Sequence, residues 1–149
     1  MFKRAQNGSL TAWVISLFLL LPIVSCSNSD IETAASNHPL PECPNSPNCI
    51  RTQFMVQLES TQAFDLVQNT ITQMKADSLT IPTDSIQINS VFRIPLFGWL
   101  DDFDVVVSPK EEQTIIFIRS ASRVGYSDLG VNKRRVRKFI RILTQKLPA

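Results

Sequence analysis

The start of this chain limits most what the rest can fold into. Residues 10–24, LTAWVISLFLLLPIV, are one almost wholly apolar run, preceded by Lys3 and Arg4 and closed by Ser25 and Cys26. A basic head, a short apolar stretch and a small-residue exit are the layout of a secretory signal. A membrane-spanning helix needs about 20 apolar residues to cross about 30 Å of hydrocarbon. At about 1.5 Å per residue this run reaches only about 22 Å, and Pro22 weakens its helix further. Residues 1–25 therefore read as a signal peptide. That leaves 124 of the 149 residues, enough for one domain with a modest core.

The exit Ile23-Val24-Ser25-Cys26 resembles the lipobox of bacterial lipoproteins. There a Cys thiol is acylated and the chain is cleaved just before it, which needs a thiol at Cys26 and a small residue at Ser25. The alternatives are a plain secretory signal with an incidental Cys, or an uncleaved anchor. A single acyl chain binds a membrane only marginally, and two or more anchor it stably; the resemblance implies several on Cys26. The expected setting is the bacterial cell envelope, with the protein lipid-anchored and facing the periplasm or the exterior. Ser27 after Cys26, in place of Asp, resembles outer-membrane sorting in a Gram-negative host. Residues 26–42 follow as lipidated Cys and tether. SNSDIETAASNHPLPE is rich in Ser, Asn, Thr and Pro and lacks apolar periodicity, and such a tether spans about 20–25 Å. The domain is expected over 43–149.

Removal of the signal also changes the charge. The full chain has 15 Lys+Arg against 13 Asp+Glu; losing Lys3 and Arg4 leaves 13 against 13, net zero. Nucleic-acid-binding domains are usually basic, so a nucleic-acid partner is not expected. With Cys26 lipidated, Cys43 and Cys49 remain. In an oxidising compartment a close even pair reads as a disulfide, here closing the ring CPNSPNC. A metal or redox pair is the alternative. Zinc usually wants four ligands and His38 is the one His, while redox motifs usually hold two intervening residues. No metal and no cofactor are expected.

The periodicities begin past the ring. Phe54, Val56 and Leu58 alternate, which predicts a strand over 53–58. Ser60 or Thr61 can cap a helix running to Lys75, its apolar stripe Phe64, Val67, Ile71 and Met74. Residues 79–84 read as irregular, and 86–93 as a strand. A third strand over 102–107 carries Phe103, Val105 and Val107 on one side. SPKEEQ is a polar turn, and TIIFIR, residues 114–119, is apolar on both faces and so central. A helix over 132–147, capped by Asn132, buries Val136, Phe139, Ile140, Leu143 and Leu147. Short turns favour antiparallel pairing, and two amphipathic helices must share a face. The expected architecture is an α+β two-layer sandwich, a mainly antiparallel sheet of about four strands with two helices on one face.

Chemistry concentrates in RSASRVGYSDLGVNKRR, residues 119–135. A strand–loop–helix passage brings free N–H groups and a positive dipole end together. Arg119 and Arg123 add charge; Ser120, Ser122, Tyr126 and Ser127 add hydroxyls; Asp128 and Asn132 lie beside them. The bland alternative pairs the arginines with Asp101, Asp102 or Asp128. A nucleotide phosphate loop is rejected, since the Gly-Lys-Ser/Thr ending is missing. On a strand, Asp101 and Asp102 point to opposite faces while Asp102 and Asp104 share one. Catalysis of the Ser-His-Asp kind needs a positioned His, and His38 sits in the expected tether. The loop IPLFGWL, residues 94–100, could touch lipid or fold over its own core.

CPNSPNC, the DD pair and RSASRVGYSDLGVN together resemble the domain-of-unknown-function family numbered 1499, whose members occur in bacterial envelopes and plastid-bearing lineages. The matching positions are Cys43, Pro44, Ser46, Pro47, Asn48 and Cys49; Asp101 and Asp102; then Arg119, Ser120, Ser122, Arg123, Gly125, Ser127, Asp128, Gly130 and Asn132. Phe103 and Asp104 stand where the family often shows an aliphatic residue and Glu. The resemblance spans roughly residues 40–146 and implies a shared fold, but no reaction. Three functions are carried forward. The first is non-catalytic binding of a small anion or an envelope protein through Arg119, Ser120, Ser122, Arg123, Tyr126, Asp128 and Asn132 with Asp101 and Asp102. The second is a hydrolase-like enzyme using Asp102 with Ser122 or Tyr126. The third is a structural envelope protein touching lipid through Phe97 and Trp99. Polar motifs so far apart in sequence are expected to meet at one spot, where they satisfy one another.

Overall fold

The computed structural model describes residues 37–148; the expected signal peptide, residues 1–25, the expected lipid-bearing Cys26 and residues 27–36 lie outside them. Seven elements follow in order: β1 (Cys49–Val56), α1 (Ser60–Gln73), β2 (Ser78–Thr80), β3 (Gln87–Arg93), β4 (Leu100–Lys110), β5 (Gln113–Ser122) and α2 (Val131–Thr144). The strands form one five-stranded sheet in the order β1-β5-β4-β3-β2, antiparallel throughout. The α+β class is as expected. The sheet has one strand more, because residues 78–80 pair with β3 through Ser78 opposite Val91. Three residues are too few to show a period, so this edge strand leaves no alternation to read.

Period two sorts each strand into two faces. On β4, Asp101, Phe103, Val105 and Val107 are buried beneath the helices. On β5, Ile116 and Ile118 join them. From the helices come Ala63, Val67, Ile71 and Met74 of α1 and Val136, Phe139 and Leu143 of α2, which complete one core. Phe103 anchors it, its ring 5.8 Å from Phe92 and 5.2 Å from Phe139. Phe64, Ile140 and Leu147, expected inside, pack at its margin. The SPKEEQ turn is tighter than expected: Lys110 pairs with Gln113, and Glu111 takes φ 54° to reverse the chain.

The opposite sheet face carries a second cluster of Leu40, Val106 and Phe117 with Ile115. This corrects the tether, whose last residues belong to the domain. His38 and Leu40 are buried. The His38 ring packs edge-on against Phe117 at 4.8 Å. Its Nε2 donates to the Thr52 carbonyl at 3.0 Å, and its Nδ1 accepts the Leu40 N–H at 3.3 Å. Both nitrogens are used in the neutral tautomer, and burial lowers the ring's pKa below 6.5. Arg51 fastens the same segment by donating to the carbonyls of Leu40 and His38 at 3.1 and 3.0 Å. A composition rich in Ser, Asn and Pro hides this docking, because two anchoring residues are not a period. Among the described residues, no helix is long and apolar enough to cross a membrane.

Candidate functional site

The CPNSPNC ring is closed by a Cys43–Cys49 disulfide. Cys49 opens β1 opposite Ala121 of β5, so the ring sits at the sheet end where β5 finishes and β4 begins. Asn48 works from inside the ring. Its carbonyl accepts the Ser122 N–H at 3.0 Å and the Asn132 Nδ2 at 3.0 Å. Its side chain accepts from the Ser46 hydroxyl at 2.7 Å and donates to the Gly125 carbonyl.

Asn132 is the hub of this region. The sequence suggests it as the cap of α2, but Gly130 holds that position, in the left-handed region at φ 76°. Asn132 lies two residues further in and is fully buried. Its Nδ2 also donates to the Ser122 hydroxyl at 2.9 Å, and its Oδ1 accepts from Ser120 and from Arg135. The capping task falls to Asp128, whose carboxylate accepts the N–H groups of Gly130 at 2.8 Å and Asn132 at 2.6 Å.

Arg135 completes the cluster and was not among the expected residues. It donates to Asp101 at 2.7 Å and to Ser120 at 3.2 Å, with its guanidinium 4.9 Å from the Phe92 ring centre. Only 8 % of its side chain and 2 % of that of Asp101 are exposed. One signal could have found it: Arg135 stands four residues before Phe139, on the stripe that α2 buries. A basic residue at such a position requires an acid on the facing strand. The three distant motifs thus meet through Asn48, Asp101 and the Ser120–Asn132 segment, and every group named here has a partner within the cluster. An ion pair buried this deeply depends on such hydrogen bonds to offset its lost hydration.

The remaining expected residues lie elsewhere. Asp102, Asp104, Arg119 and Arg123 project from the opposite sheet face. Arg123 donates twice to one oxygen of Asp102, at 2.9 and 2.7 Å. Arg119 approaches Asp104 only to 3.8 Å, and its buried Nε has no hydrogen-bond partner. Burial, then the neighbouring Asp102 charge, pushes the Asp104 carboxyl up to about 6 against the pull of Arg119 and Arg123. The proposed single ligand-binding set is therefore divided by the sheet. The hydrolase pairing loses its geometry as well. Asp102 is opposite Ala121 while Ser122 is opposite Asp101, so Asp102 and Ser122 face away from each other, and Tyr126 points into solvent. Among the described residues, no three His, Cys, Asp or Glu side chains gather as a metal site.

No curated protein matches this chain. A solved structure, that of TTHA0849 from Thermus thermophilus, aligns at a TM-score of 0.37 and 12% identity, covering 65% of this chain and 94% of that one. A family profile described as protein of unknown function (DUF1499) matches residues 39–143, spanning the ring, the acidic strand and the RSASR segment whose mutual contacts are set out above, and the chain belongs to that family.

Proposed function

We propose that this chain is an exported lipoprotein, held in the bacterial envelope by acylated Cys26, whose domain is a non-catalytic module binding a small anionic group, free or carried by an envelope protein. One observation carries the binding half. Arg119 is mostly buried on the outer sheet face, its Nε lacks a hydrogen bond, and its carboxylate neighbour stands 3.8 Å away. A guanidinium offers five donors in a planar fork suited to carboxylate or phosphate, and here part of that fork is unused. Ser120, Ser122 and Asn132 instead serve the buried network, which limits the ligand contact to the outer face.

The test is thermal denaturation of the mature chain with inorganic phosphate or a short carboxylate. A ligand at 100 times its dissociation constant stabilises by about 2.7 kcal/mol. The expected outcome is a rise in Tm that Arg119→Gln abolishes while leaving the ligand-free Tm within a few degrees. Absence of any anion-dependent rise in the wild type refutes the binding. Radiolabelled palmitate retained by Cys26→Ala refutes the anchor.

A further inference from the structure

Two loops leave the sheet at one end. Residues 94–99 join β3 to β4, where Arg93 pairs with Leu100. Residues 123–130 join β5 to α2, and their first residue, Arg123, donates its N–H to the Leu100 carbonyl at 3.1 Å. The exposed large apolar side chains concentrate on this pair of loops: Leu96, Phe97 and Trp99 on the first, Val124, Tyr126 and Leu129 on the second. Leu96 is 81% and Leu129 85% exposed. Phe97 and Trp99 stack at 4.6 Å, so they present one aromatic surface and do not fold over the core. Leu129 also takes φ 53°, a region where a bulky non-glycine residue is an outlier.

The partly exposed acids at the sheet end are paired, Asp77 with Arg93 and Asp102 with Arg123, which leaves the unpaired charge beside the loops positive. The first loop, IPLFGW, has no acid, and Asp128, the one acid of the second, is turned inward on α2. α2 starts from this end, and its sequence VNKRRVRKFIRILT has no acid at all. Lys133, Arg134 and Arg137 are exposed along its first half, in a mature chain whose net charge is zero.

We infer that this loop end is a docking surface for an anionic phospholipid bilayer, with Leu96, Phe97, Trp99, Tyr126 and Leu129 entering the headgroup layer and Lys133, Arg134 and Arg137 facing the lipid phosphates. Trp and Tyr settle at the membrane–water boundary. Apolar side chains beside a basic face are the mark of interfacial binding. The inference takes only its membrane setting from the function proposed above; it uses neither the acyl group nor Arg119.

The sequence supplies its own reporter. Of the two tryptophans, Trp13 lies in the signal peptide, so Trp99 is the single tryptophan of residues 26–149. The experiment uses that mature chain with Cys26→Ser, mixed with vesicles of equal parts phosphatidylcholine and phosphatidylglycerol or of phosphatidylcholine alone. The expected result is a blue shift of Trp99 emission and co-sedimentation with the anionic vesicles, much weaker with the neutral ones and reduced by salt. Each basic residue near such a surface is worth about fivefold in partition, so Lys133→Gln with Arg137→Gln should weaken binding about 25-fold. Leu96→Ser with Leu129→Asn should weaken it about tenfold or more. These four positions are solvent-facing, and unchanged Tm confirms intact folding. Unshifted emission with both vesicle types overturns the inference. So does equal binding to both types that the basic substitutions leave unaltered. Trp99 protected without vesicles, with concentration-dependent self-association, overturns it in favour of a second copy of the chain. Palmitate labelling retained in Cys26→Ala, or the absence of an anion-dependent rise in Tm, would sink the earlier proposal and leave this result standing.

Discussion

Replacing Arg135 by Gln should destabilise the domain more than any surface change near the candidate site. Arg135 contributes its bond to Asp101, its bonds to Ser120 and Asn132, and its contact with Phe92. The substitution leaves Asp101, with 2 % of its side chain exposed, without the cation that compensates its burial. Breaking a buried pair from one side costs about 3–5 kcal/mol, against a total of about 5–15 kcal/mol for a typical domain. For a domain near 100 residues, at about 4 °C per kcal/mol, Tm should fall by about 10–20 °C. Urea denaturation of residues 26–149 at neutral pH measures the loss. Asp101→Asn added to Arg135→Gln removes the stranded charge, so the double variant should recover about 2 kcal/mol relative to additivity. Lys133→Gln, on the exposed side of the same helix, should change stability by less than about 0.5 kcal/mol. A cost below about 1 kcal/mol for Arg135→Gln, or strict additivity in the double variant, would refute the argument that this cluster is a buried structural network.

Two further outcomes are expected. Cys43→Ser with Cys49→Ser should cost about 2 kcal/mol by loop-closure entropy and should loosen the Asn48 contacts, read as faster exchange of the Ser122 amide; an unchanged urea midpoint would contradict this. The pH dependence has two opposite parts. Asp104, raised to about 6 from 3.8, binds its proton more tightly in the fold, which favours folding at acid pH and fades as pH rises through about 6. Asp104→Asn should therefore stabilise above that pH, by about 1 kcal/mol after solvent screening. His38 titrates below 6.5, so the fold prefers its neutral ring, and that stability is present above pH 6.5 and lost as pH falls below it. As the single His, its proton resonance gives the midpoint directly, and a midpoint above 6.5 would contradict its burial.

The strands and helices were legible where their periods are long. Phe103, Val105 and Val107 mark β4 and its buried face, and Val136, Phe139 and Leu143 mark α2. The meeting of the ring with Asp101 and the Ser120–Asn132 segment also follows from sequence, because polar groups that must be buried need partners. The grouping of Arg119, Arg123 and Asp102 with Ser120, Ser122 and Asn132 did not survive. Neighbours on a strand alternate faces, and a loop read as one motif is cut in two where it leaves β5. Arg135 escaped notice because its position on the buried stripe acquires meaning only once Asp101 is known to face it. His38 and Leu40 escaped because short docked segments have no periodicity.

By itself the sequence determined the expectation of export, the pairing of the two remaining cysteines, the α+β class and the order of the long elements. These depend on local composition and on periods that run along the chain. Only the tertiary structure decided which polar side chains satisfy each other and which are left at the surface. Pairing β4 against β5 in one register places Asp101 under Arg135 and sends Asp102 to the other face. The same pairing gathers two apolar loops, 24 or more residues apart in the chain, at one end of the sheet. Side-chain facing is a property of register, and register is set by contacts between segments, not within them.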